Sequence, residues 1–112
     1  MPNHHLWIES ILENEALTDG LTDTDAQILI DWVISRLKTA HSETEADHCR
    51  HQMRYLSKAT QAIWGKSSEK KCRFYLGKLF PEARLSEIQT ATTTLATPTD
   101  VLTYLLNHLD EA

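Results

Sequence analysis

"SETEADHCRHQMRYLSKATQAIWG", residues 42–65, decides the fold. Ser42 and Glu45 have the spacing of a capping box, in which the hydroxyl serves the free amide three residues on. From there Ala46, Cys49, Met53, Leu56, Thr60 and Ile63 recur at intervals of three and four. That interval brings side chains onto one face of an α-helix. Thr60 is the one polar member of this seam. Gly65 is the residue type that most easily ends a helix. A long helix with one apolar seam needs other helices to cover it. Three heptads are too few to demand a coiled coil, so antiparallel packing in a bundle is the expectation.

Upstream, "LTDTDAQILIDWVISRLKTA", residues 21–40, reads the same way. Thr22 is an N-cap, and Asp23 and Asp25 suit the positive end of the helix dipole. Ala26, Leu29, Ile30, Val33, Leu37 and Ala40 make one stripe. Ile28 and Trp32 lie on roughly the opposite face. That second face points to a central helix, with a self-association patch at Ile28 and Trp32 as the other reading. Before it, Trp7, Ile8, Ile11 and Leu12 predict a helix from about Asn3 to Leu17, with Gly20 able to close it.

Downstream, Ser67 or Ser68 starts another helix, with Cys72, Tyr75, Leu76 and Leu79 facing inward and Pro81 ending it. Leu85 and Ile88 anchor a shorter one over about Glu82–Gln89. The threonine-rich "TATTTLAT", residues 90–97, reads as a loop, since β-branched threonine is a poor helix former. Thr97, Pro98 and Asp100 then form an N-cap, N1 and N3 series. Val101, Leu102, Leu105, Leu106 and Leu109 line the buried face of that last helix.

No strand pattern competes. With 112 residues, 41% hydrophobic and 24% charged, and only three glycines and three prolines, the chain suits long elements with few turns. The expectation is an all-α fold: a single compact bundle of five to six helices, one domain over residues 1–112. No apolar run is long enough to cross a bilayer. The first residues, "MPNHHLWIESILENE", lack the basic start of a secretory signal. Cys49 and Cys72 form no CxxC pair and read as reduced thiols in a cytoplasmic protein.

The net charge is −5, and its layout is uneven. Residues 1–48 carry ten acids and two bases; residues 49–84 carry nine bases and two acids; residues 85–112 carry four acids and no base. A basic block therefore sits between two acidic ones. Arg50, Arg54 and Lys58 are spaced to share one side of the long helix, off its seam. Phe74 falls one turn from Lys70 and Lys78, near Lys71. Lys70 and Lys71 occupy a first helical turn, where the dipole disfavours cations. A broken local rule of this kind marks a candidate site.

The catalytic signatures are weak. "GKSS", residues 65–68, ends like a phosphate loop, but the required upstream glycine is Thr60, inside a helix. What remains is an anion site of free amides at a helix start, beside lysines. Glu45 and His48 match a two-ligand metal spacing that occurs once, where a di-iron bundle needs it twice. Lys71 and Arg73 flank Cys72, and positive charge lowers a thiol pKa. The reading that follows is a small non-enzymatic binding or adaptor domain with no cofactor. Its basic face comprises Arg50, Arg54, Lys58, Lys66, Lys70, Lys71, Phe74 and Lys78. The expected partner is a protein with an acidic surface, a second copy of this chain included, and not a membrane. Nucleic acid is the alternative, with Phe74 stacking on a base. A metal-binding protein or enzyme is the third.

Overall fold

A computed structural model describes residues 18–40 and 42–110, the side chain of Asp110 apart. The chain is all-α. Among the described residues there are five helices and no strand: α1 (Asp23–Leu37), α2 (Glu43–Trp64), α3 (Glu69–Leu76), α4 (Glu82–Thr93) and α5 (Pro98–Asp110). The helix expected over Asn3–Leu17 lies outside the described residues. The contacts gather into two compact units, one ending at Arg54 and the other beginning at Tyr55, so the division falls within α2.

In the first unit, Thr22 caps α1, its hydroxyl accepting from the Asp25 amide at 3.2 Å. Gly20 precedes it at a φ of 90°, a conformation that only glycine adopts without strain. Leu29, Val33, Leu37 and Ala40 are buried as the stripe requires, and Ala46, Cys49 and Met53 continue the core onto α2. Ser42 Oγ accepts from the Glu45 amide at 3.2 Å, as the capping spacing predicts.

The second unit is built on the rest of α2 and on α3, α4 and α5. Leu56, Ala59 and Thr60 are fully buried, as are Leu76, Ile88, Leu102 and Leu105. Ser68 caps α3, accepting from the Lys71 amide, and Thr97 caps α5, accepting from the Asp100 amide. Beyond Leu76 the chain tightens into i→i+3 turns, which bring Phe80 into the core before Pro81. Polar clasps join neighbouring helices. Arg73 of α3 donates to Gln89 Oε1 of α4, and Gln89 Nε2 donates back to the Glu69 carbonyl. Arg84 of α4 lies 2.9 Å from His108 Nδ1 of α5, and the Tyr104 ring stacks on that imidazole.

One expectation fails here. The threonine-rich stretch is not a loop from residue 90, because α4 runs on to Thr93. Thr92 lies one turn from Ile88 and is buried with it. Its hydroxyl donates to the Ile88 carbonyl at 2.8 Å, and those of Thr93 and Thr94 donate to the Thr90 and Ala91 carbonyls. Burial and these local bonds override weak intrinsic propensity.

Candidate functional site

Two large apolar side chains stand exposed among the described residues, Phe74 and Trp64, and each marks a different feature of the second unit.

The Phe74 ring is 58% exposed. It sits on α3 one helical position off the Cys72–Leu76 core stripe, which turns it outward. Lys78 Nζ lies 4.8 Å from its centroid, and the Tyr75 ring meets it edge-on at 5.5 Å. Tyr75 in turn faces Tyr55 of α2 at 6.3 Å, with Lys58 Nζ 5.8 Å from its own centroid. The result is a continuous strip, Tyr55–Tyr75–Phe74, with a lysine over each of its last two rings. Each such cation–ring contact contributes about 0.5–1 kcal/mol at an exposed position. Lys70 and Lys71, exposed in the first turn of α3, are one turn from Phe74 and Tyr75. No carboxylate among the described residues forms an ion pair with Lys58, Lys70, Lys71 or Lys78.

The rest of the expected basic face is less uniform. Arg50 is half-buried and pairs with Asp47, so its charge is compensated by its own helix. Arg54 is exposed in the first unit. Lys66 lines a cleft, described next. Tyr55 and Tyr75 escape a reading of the seam: Tyr75 was expected to face inward and is only half-buried. Their signal was their spacing to Lys58 and Lys71.

The cleft, about 650 Å³, opens between the end of α2, the turn after it, α3, α4 and the start of α5. Trp64, 49% exposed, and Lys66 line it on one side, and Arg73 and Gln89 on another. The turn is a helix-ending motif in which the Ser67 amide donates to the Ala62 carbonyl. Its left-handed residue is Lys66, at a φ of 55°, and not Gly65. Gly65 is needed for another reason: a Cβ there would stand 2.9 Å from the Gln61 carbonyl oxygen. The amides of Gly65, Lys66 and Ser67 all donate back to the preceding helix, and at the start of α3, where the anion site was expected, the Lys71 amide donates to Ser68 Oγ.

Other candidates change in detail. Ile28 and Trp32 are half-buried, and the Arg36 guanidinium covers the Trp32 ring at 4.7 Å, so they make no open apolar patch. Glu45 and His48 are exposed beside Cys49, and no group of three metal-ligating side chains occurs among the described residues. Both cysteines are free and buried. Burial pushes both thiols above the ordinary value, outweighing the pull of Lys71 on Cys72 and of Arg36 on Cys49. The flanking charges therefore do not activate Cys72. No helix among the described residues is long and apolar enough to cross a membrane.

No protein-family model matches the sequence, and neither a curated protein nor a solved structure is significantly similar to it.

Proposed function

We propose that the protein is a non-enzymatic binding module whose basic–aromatic strip docks an acidic segment of a partner protein. The observation that carries this reading is Phe74, a large ring held in water between uncompensated lysines. Leaving such a ring half-exposed forgoes about 1 kcal/mol or more of burial. Aromatic anchors ringed by charge are the usual centre of a docking surface. The lysines steer an acidic partner and fix its register, while Phe74 supplies apolar contact once water is expelled. A cytoplasmic setting belongs to this reading, and two buried free thiols suit a reducing compartment.

The same strip could stack single-stranded nucleic acid, with Phe74 and Tyr75 under the bases and the lysines on phosphates. The net charge of −5 opposes long-range attraction of a polyanion and ranks this second.

Fluorescence anisotropy distinguishes them. The probes are a labelled 12-residue peptide of glutamates around one leucine and a labelled oligothymidylate of equal length. The docking reading expects saturable peptide binding, weakened at least tenfold by Phe74→Ala and abolished by Lys58→Glu with Lys78→Glu. Peptide binding indifferent to these changes removes the strip as the site. Binding of the oligonucleotide in preference to the peptide transfers the strip to the second reading.

A further inference from the structure

The cleft is separate from the docking strip in its lining residues, and it is built for a different kind of ligand. We propose that it binds a small molecule consisting of a planar aromatic ring and an anionic group, such as an aryl carboxylate or aryl phosphate. Its volume of about 650 Å³ lies within the range of small-molecule sites. Its lining combines the three elements such a ligand needs. Trp64 offers an indole face that is already half in water. Ile63, Leu95 and Val101 supply apolar wall. Lys66 and Arg73 supply two cations against the single carboxylate of Glu69.

The cations are held differently, and both arrangements favour a ligand. Arg73 is oriented by its bond to Gln89 Oε1 at 3.3 Å and its approach to Glu82 at 3.9 Å. A guanidinium has five N–H groups, so these contacts leave it donors for an anion. Lys66 has no ion pair among the described residues and occupies the left-handed position that favours glycine. Two adjacent positions thus favour glycine, Gly65 for space and Lys66 for backbone angle, and the chain places a lysine at the second. Strain kept at a cleft wall, with a cation on the strained residue, is accounted for by what the cation does there. Because the backbone amides of this turn are spent on α2, the anion is met by side chains.

The test uses the whole chain and naphthalene-1-sulfonate, a planar aromatic ring bearing an anionic group, with indole as a neutral aromatic control and inorganic phosphate as an anion without a ring. Titration followed by amide NMR should show saturable one-to-one binding of the sulfonate. Shifts should be confined to residues 63–73, 86–95 and the first turn of α5 around Val101, and indole and phosphate should each bind at least tenfold more weakly. Trp64→Ala should weaken binding about tenfold. Lys66→Gly should weaken it about fivefold while keeping the fold, since glycine suits that backbone. Phe74→Ala, which removes the docking anchor, should leave it unchanged. The proposal is overturned if no saturable binding occurs, if the shifts fall elsewhere, or if Trp64→Ala and Lys66→Gly leave the affinity unaltered.

Discussion

Two threonines show how a single hydroxyl decides between cost and neutrality. Thr92 is buried on α4 and returns its hydroxyl to the Ile88 carbonyl at 2.8 Å. Thr60 is fully buried in the α2 seam, and its hydroxyl has no hydrogen-bond partner among the described residues. A buried unsatisfied hydroxyl costs about 1–3 kcal/mol. Thr60→Val, nearly equal in shape, should therefore raise stability by about 1 kcal/mol in urea unfolding, whereas Thr92→Val should gain nothing. Lys66 carries the other local cost, and Lys66→Gly should add about 0.5–1 kcal/mol by relieving the left-handed strain. The thiols set an alkaline limit. Both pKa values are raised by burial, so the folded chain holds these protons more tightly than the unfolded one. Their contribution is complete below the ordinary thiol value of 9.0 and is lost as pH rises through the folded values. Reaction with a disulfide reagent at pH 7 should accordingly be slower than for a free thiol and should quicken when urea unfolds the chain.

At the scale of the element, the caps carry most of what the sequence discloses. Thr22, Ser42, Ser68 and Thr97 each accept from the amide three residues on, and each was readable because a short hydroxyl side chain precedes an apolar-periodic run. Thr97→Ala should lower stability by about 1 kcal/mol, measured by thermal or urea unfolding, because the Asp100 amide loses its acceptor. An unchanged midpoint would show that this helix end does not depend on its cap. The last turn of α4 was not legible, since threonine propensity points the other way and only the burial of Thr92 beside Ile88 rescues the helix. Phe74 was legible as an outward ring because it breaks the Cys72–Leu76 spacing. The cleft was not, because its walls come from α2, α3, α4 and the start of α5, and no local period in a sequence records which helices meet. Gly65 was legible as the stop of α2, which ends at Trp64; that Lys66 takes the left-handed angle, and that a Cβ at Gly65 would stand 2.9 Å from the Gln61 carbonyl, are three-dimensional facts no local pattern records.

At the scale of the whole molecule, the charge pattern was legible and its pairing was not. Counting acids and bases along the chain locates the basic block, but only coordinates show that Arg50 is matched by Asp47 while Lys58, Lys70, Lys71 and Lys78 form no ion pairs among the described residues. This difference makes the docking proposal quantitative in salt. Exposed unpaired lysines act over about 10 Å at 0.1 M salt and about 3 Å at 1 M. Affinity for the acidic peptide should fall about tenfold between 0.05 and 0.5 M sodium chloride, mainly through a slower association rate. Lys70→Glu with Lys71→Glu should weaken binding at low salt and flatten that dependence. Phe74→Ala should instead lower affinity by a similar factor at every salt concentration, because the contact it removes is apolar and short-ranged. Parallel curves for the lysine variants and the unaltered chain would mean that those charges do no more than keep the surface solvated. The peptide would then have to be held by Phe74 and by Lys58 and Lys78, the two lysines over the rings.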